Sequence, residues 1–198
     1  MENINLVTPT SYVPQIIEDL KIAKSKGLKL PIVYNTNGYE NIETLKMLEG
    51  YIDIYLPDLK YAEDDLGKKY SKIDNYFEIA TKAIKEMEKQ VEILELNENG
   101  VMKKGMIVRH LVLPGHLENS KKVLKWMNEN LNKEIYISVM AQYFPTYKAK
   151  TEKYSGINRK LTTEEWEEIE NYIDDLGFEN GFIQELGEHE EEYVPKWW

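Results

Sequence analysis

The sequence predicts an α/β fold in which a parallel sheet is covered by helices. Three observations carry this expectation. Short apolar runs alternate along the chain with longer amphipathic segments. The runs are apolar throughout rather than at every second residue, as in strands covered on both faces. The segments between them are long enough for the crossovers that parallel neighbours need, about a dozen residues or more.

The elements follow in order. Ile4-Asn5-Leu6-Val7 reads as a short strand ending at Thr8-Pro9. Ile16, Ile17, Leu20 and Ala23 then fall at helical spacing, and Gly27 stops the helix. Leu30 to Tyr34 is a second strand, ending at Asn35-Thr36-Asn37-Gly38, and a short helix carries Leu45 and Leu48 before Gly50. Tyr51 to Leu56 is a third strand, ending at Pro57-Asp58-Leu59-Lys60. From Asn75 to Leu96 the positions of Phe77, Ala80, Ile84, Met87, Val91 and Leu94 predict one long amphipathic helix, with a turn at Asn97 to Gly100. Met106 to Leu113, interrupted by Arg109-His110, is a fourth strand region; Ser120 to Leu131 is helical; Ile135 to Met140 is a fifth strand ending at Ala141-Gln142-Tyr143. A helix over Thr163 to Leu176 opens with Thr162-Thr163-Glu164-Glu165, the pattern of a capping box. Gly181 to Gln184 reads as one more short strand, and Glu188 to Trp198 as an acidic, then aromatic tail lying over the surface or one end of the sheet. About five β/α units are too few for a closed eightfold barrel, which takes about 250 residues. The sheet is therefore open and doubly wound, or an incomplete barrel. No Pro-, Ser- or Gly-rich linker divides the chain, so a single domain is expected.

Composition narrows the function. The 198 residues include no cysteine, so no disulfide framework, thiol nucleophile or thiolate ligand for an iron–sulfur cluster comes from this sequence. The net charge of −10 argues against nucleic acid as the main partner, because a phosphate backbone calls for a basic footprint. No run reaches the roughly 20 apolar residues of a membrane span, and the start lacks the layout of a signal peptide; a cytoplasmic protein is expected. Arg109 and Arg159 are the only arginines in a lysine-rich chain. They mark places where a planar fork could grip a carboxylate or phosphate.

In parallel α/β architectures ligands bind beyond the carboxyl ends of the strands. Those ends are Thr8-Pro9-Thr10, Asn35-Thr36-Asn37-Gly38, Asp58-Leu59-Lys60, Arg109-His110 and Gln142-Tyr143. Asp58 can accept from ribose hydroxyls or hold a cation, Lys60 and Arg109 can hold a carboxylate or phosphate, and Asn35 and Thr36 can orient a small polar ligand. Each also has a plain structural reading. Asn35 to Gly38 can be a turn, Asp58 and Lys60 an ion pair at the rim, and Arg109 a buried pair with a carboxylate. His110 reads as a satisfied structural histidine. His116, His189 and the acidic run at Glu188 to Glu192 carry no clear signal.

Several blocks resemble the radical S-adenosylmethionine superfamily, in particular proteins similar to pyruvate formate-lyase activating enzymes. They are Asn3 to Pro9, Pro31 to Tyr39, Asp53 to Tyr61, Val108 to Gly115 and the Ala141-Gln142-Tyr143 strand end. The blocks stand in matching order over nearly the whole chain. The resemblance implies an incomplete parallel (β/α) barrel over about residues 1–147, with a helical extension and tail over about 148–198. It implies S-adenosylmethionine as a bound cofactor and, in the full-length family, a [4Fe–4S] cluster that cleaves it reductively to a 5′-deoxyadenosyl radical. It further implies that the first β/α unit of the family barrel and its three cluster cysteines lie outside this chain, which alone is expected to be inactive. A glycyl-radical enzyme is the implied protein partner. By the same resemblance Asn35 and Thr36 contact the cofactor and a monovalent cation, with Asn35 standing where the family has Asp. Asp58 and Lys60 bind the ribose and the methionine part, Arg109 lies near the carboxylate, and Gln142 or Tyr143 near the adenosine. The family's Gly-Gly-Glu grip on the amino group is replaced by Val7-Thr8-Pro9-Thr10, to which Thr8 contributes.

A second reading is a barrel remnant that binds a nucleotide-like ligand or a protein without turnover. A third is an aldolase-like enzyme using Lys60 as base or Schiff-base amine. The edge beside Asn3 to Val7 is expected to pair with a second copy, giving a homodimer.

Overall fold

The computed structural model describes residues 2–186; the acidic run, His189 and the aromatic tail lie outside the described residues. The chain forms β1 (Ile4–Val7), α1 (Val13–Ser25), β2 (Ile32–Thr36), α2 (Ile42–Met47), β3 (Ile54–Pro57) and α3 (Asp64–Leu66). Then come α4 (Tyr76–Gln90), β4 (Glu95–Leu96), β5 (Met102–Leu111), α5 (Leu117–Asn130), β6 (Tyr136–Met140), α6 (Thr163–Leu176) and β7 (Gly181–Ile183). The sheet order is β1-β2-β3-β5-β6-β7, every neighbouring pair on this path is parallel, and β4 pairs antiparallel with β5 off the path. The two ends of the path do not meet, so the barrel is not closed. Among the described residues β1 pairs only with β2, and Val7 at its end is 66 % exposed.

The side-chain alternation of a strand divides the sheet into two unlike faces. One is buried beneath the helices: Tyr34, Val108, His110, Ile137 and Val139 are all below 3 % exposure. Helix α1 packs there through Val13, Ile17 and Leu20, α4 through Ala80, Ala83, Ile84 and Met87, α5 through Val123, Leu124 and Met127, and α6 through Trp166, Ile169 and Ile173. These positions recur at three and four residues, the apolar stripe of a surface helix. The opposite face is where the polar strand-end residues sit. The register sets Val7, Asn35 and Leu56 side by side, and one step on, Asp58, Arg109 and Ser138. Parallel partners in register project to the same side, so Asn35, Asp58 and Arg109 share this half-open face.

Two expectations about elements need correction. The helix expected over Asn75 to Leu96 ends at Gln90. Leu94 keeps the helical spacing, but its side chain lies against Gly105, and Glu95 pairs with Lys104 in a short hairpin. The Asn97 side chain closes that hairpin by accepting from the backbone N–H groups of Asn99 and Val101. Strand β5 accordingly starts at Met102, four residues earlier than the apolar run. The stretch after Lys60 also holds α3 and a π-helical turn over Gly67–Ser71, where no element was expected. The capping box is present as expected: the Thr162 hydroxyl accepts from Glu165 N–H and the Glu165 carboxylate accepts from Thr162 N–H.

Candidate functional site

Parallel pairing brings residues far apart in sequence to one point. Arg109, in the middle of an apolar strand, donates from Nε to Asp58 Oδ1 at 2.9 Å and from Nη2 to Asn35 Oδ1 at 2.8 Å. Its Nη2 also lies 2.7 Å from Asp58 Oδ1. The other Asp58 oxygen, Oδ2, faces Lys60 Nζ at 3.3 Å. One carboxylate is thus shared by two cations, with an amide beside them, and the cluster carries one net positive charge. The side chains of Asp58 and Arg109 keep 20 % and 26 % of their exposure and Lys60 40 %, so the charge is within reach of a ligand at the strand ends. Both structural readings of these residues hold geometrically: Arg109 has its carboxylate, and Asp58 and Lys60 form a rim pair.

The backbone carrying Asp58 and Lys60 is fixed by buried polar groups. Asp58 N–H donates to Thr36 carbonyl at 3.0 Å and Leu59 N–H to Arg109 carbonyl at 2.8 Å. The Tyr76 hydroxyl donates toward the Asp58 and Asn37 carbonyls at 3.1 and 3.2 Å and accepts from Lys60 N–H at 3.0 Å. Burial holds this phenol above its ordinary pKa. Asn119 accepts from Ala62 N–H at 2.8 Å and donates to the Lys60 carbonyl at 3.1 Å. Beneath them lies His110, 1 % exposed, with Nδ1 2.7 Å from the Leu59 carbonyl and Nε2 2.9 Å from Ser120 Oγ. A carbonyl can only accept, so Nδ1 carries the proton and Ser120 donates to Nε2. Burial pushes the imidazole down to about 4, opposed by the Leu59 carbonyl, so the ring is neutral at pH 7. Gly38 completes the turn at φ +80°, where a Cβ would run into the Asp58 carbonyl oxygen.

Thr36 belongs to a different cluster. It is 2 % exposed and points to the helix side, where its hydroxyl hydrogen-bonds Glu40 Oε1. The same oxygen accepts from Thr10 at 2.7 Å and from the Tyr34 hydroxyl at 3.3 Å, while Glu40 Oε2, also buried, has no partner among the described residues. Thr8 takes a left-handed φ of +52°, is exposed and donates its N–H to the Asn35 carbonyl at 2.8 Å. Gln142 is exposed and stands apart from the charged cluster. Its Oε1 lies 3.4 Å from Gln184 Nε2, and it lines a cleft of about 450 Å³ with Phe144, Lys160, Thr162, Gln184 and Leu186. Asn35, Asp58, Lys60 and Arg109 do not line that cleft.

Sequence reasoning missed Glu40, Tyr76, Asn119 and Ser120, since no spacing rule links them to the strand ends. It also passed over His116, whose Nε2 lies 2.7 Å from the Tyr70 hydroxyl and whose pKa is lowered by burial and then by Lys69. Arg159 forms a two-pronged pair with Glu165, at 2.6 and 2.8 Å. Glu165 Oε1 also accepts from Gly115 N–H, which ties the loop after β5 to α6.

No known protein-family profile matches the chain. An uncharacterized protein of Methanocaldococcus jannaschii is 34 % identical over 169 residues, covering 84 % of this chain and 44 % of that protein. The chain thus spans less than half the length of this curated relative. Among solved structures, a domain of pyruvate-formate lyase-activating enzyme from Bacteroides vulgatus superposes with a TM-score of 0.64 over 93 % of this chain and 100 % of that domain, at 14 % identity. At that identity the likeness is one of fold: a mostly parallel α/β sheet whose barrel is not closed, similar to the activating-enzyme domain.

Proposed function

We propose that the strand-end cluster binds S-adenosylmethionine, and that the chain is the cofactor-holding part of a protein resembling radical S-adenosylmethionine activating enzymes. The observation that carries this reading is the sharing of Asp58 between Arg109 and Lys60, with Asn35 beside them, on the half-open face at the carboxyl ends of β2, β3 and β5. A net positive cluster with one carboxylate suits a ligand that carries a carboxylate and vicinal hydroxyls together. Arg109 and Lys60 would hold the methionine carboxylate, Asp58 would accept from the ribose, and Asn35 would orient the ligand through the amide N–H groups that Arg109 leaves unused. Thr8 and Thr36 would contribute through the backbone at the ends of β1 and β2, and Gln142 would reach the adenosine side. When bound, the cofactor supplies a sulfonium whose reductive cleavage makes a carbon radical; this chain's part is to bind and orient it.

The donor set does not suit a [4Fe–4S] cluster. The sequence has no cysteine, and among the described residues no group of three or more His, Cys, Asp or Glu converges. No step is therefore assigned to a cluster held by these residues. The same fact favours, as the second reading, binding without turnover by this chain alone. A glycyl-radical enzyme as protein substrate belongs to the first reading, and nothing in the cluster's geometry requires it.

Titration calorimetry with S-adenosylmethionine tests the reading. Micromolar to submillimolar binding is expected, weakened about tenfold or more by Arg109→Ala or Lys60→Ala, since one charge-assisted hydrogen bond contributes about 1.5–3 kcal/mol. Lys125→Ala, on the outer face of α5, should leave it unchanged. Equal binding in all four proteins, or none in the parent, would sink the assignment.

A further inference from the structure

A second feature of the carboxyl end is the charge on the loops around it. Residues 68–72 and 143–160 hold eight basic side chains and one acidic one, Glu152. That is a net charge of +7 in a chain of −10, which leaves −17 for everything else. The fold joins the two segments: Lys72 Nζ lies 5.9 Å from the Tyr154 ring centre, the Tyr70 and Tyr154 rings are 5.9 Å apart, and Tyr70 reaches His116 in the loop after β5. Lysines stand over the aromatic rings throughout, Lys69 on Tyr70, Lys148 on Tyr147, Lys150 on Phe144 and Lys153 on Tyr154, at 5.0–5.8 Å. These four and Lys72 are exposed, and among the described residues none has a carboxylate within ion-pair distance. Tyr147 is 83 % exposed and holds a left-handed φ of +45°, a conformation that costs energy in a non-glycine residue.

We propose that this lysine–tyrosine face, over the carboxyl ends of β3 and β6, is a docking surface for an acidic segment of a protein partner. Charge complementarity selects the chemistry. Asp74 pairs with Lys68 at 3.2 Å and Glu165 with Arg159 at 2.6 Å, but the field that decides contacts is local, within a Debye length of about 8 Å at physiological salt, and the five exposed lysines without such a partner keep the face positive. The shape of the charge selects a protein over a nucleic acid. Carboxylates border the face in sequence, at Glu63, Asp64, Asp65 and Asp74 on one segment and Glu164 and Glu165 on the other. A long polyanion would run from the lysines onto those acids, whereas a protein surface with an acidic centre would meet only the positive part. Tyrosine is enriched at protein interfaces, and complementary charge there sets encounter rate and partner choice. The proposal rests on the strand ends being the working end of the molecule only for its orientation, since it would present the docked segment to them.

The test uses the full chain and a fluorescein-labelled copolymer of glutamate and tyrosine, with fluorescence anisotropy at low and moderate salt. Binding that weakens with salt is expected. Lys148→Glu/Lys150→Glu/Lys153→Glu should weaken it by about tenfold or more, and Lys69→Gln/Lys72→Gln, on the other segment, by a smaller factor. Lys21→Glu/Lys26→Glu/Lys29→Glu, the same charge change on and just after α1, should change it by less than about threefold. Equal loss in the two triple variants would mean bulk charge alone and overturn the proposal. So would tighter binding of a thymidine oligonucleotide of matched charge. Calorimetry with S-adenosylmethionine on the same proteins separates the readings, because neither triple variant touches the Arg109 cluster.

Discussion

Protonation of His110 should cost the protein a large part of its stability between pH 6.5 and 4. The ring is fully enclosed, donates from Nδ1 to the Leu59 carbonyl and accepts at Nε2 from Ser120. Its folded pKa is about 4 against 6.5 for an open histidine, with burial the largest cause. A depressed folded pKa means that the unfolded chain binds the proton first. The stabilising contribution is therefore present in full above pH 6.5 and is lost as the pH falls from 6.5 toward 4. The difference between the two values corresponds to about 3 kcal/mol, out of a total that is typically 5–15 kcal/mol. The assay is urea unfolding followed by circular dichroism at several pH values from 7.5 to 4.5, on the parent and on His110→Gln. Gln donates and accepts in similar directions and never titrates. The parent's advantage at pH 7.5 should shrink by about 2.5 kcal/mol by pH 4.5. His116, also lowered by burial, is present in both proteins and cancels in the difference. Glu165, held down to about 2 chiefly by Arg159, loses its contribution only as the pH falls from 4.5 toward 2, below the window. A parent-to-variant difference that stays constant from pH 6.5 to 4.5 would refute the buried neutral imidazole and its role under Asp58 and Lys60.

Two further substitutions probe the scaffold. Gly38→Ala should destabilise by more than about 2 kcal/mol, because it adds the cost of a left-handed alanine to a clash with the Asp58 carbonyl; thermal melts, read together with loss of S-adenosylmethionine binding, check it. Thr162→Ala removes half of the capping box of α6 and should cost about 1 kcal/mol, a fall of roughly 2–4 °C in Tm, while Thr162→Ser stays near the parent.

The alternation of β and α elements was legible because it is local. Short apolar runs, 3.6-residue patterns, capping residues and breakers act within a dozen or so positions, and they located all six parallel strands among the described residues, β7 at Gly181–Ile183 included, and the helices that cover them. The same locality explains the error at Leu94. Its helical spacing was real, but burial against Gly105 in a hairpin competed for that side chain, and no pattern within the segment could reveal the competitor. The strand-end residues could be named from the rule that ligands bind at the carboxyl ends of parallel strands. What each one touches could not.

The sequence by itself determined the βα order, the absence of any thiolate, the uneven placing of charge and the polar character of the strand ends. Only the tertiary structure decided that Arg109 meets Asp58, 51 positions away, and Asn35, 74 positions away. It also decided that Thr36 turns away to Glu40, that His110 and Asn119 hold the Asp58–Lys60 segment, and that two lysine-rich loops form one face. The physical reason is register. Which residues stand side by side in a parallel sheet is set by how whole β/α units pack, and a shift of one position would exchange the half-open face for the buried one.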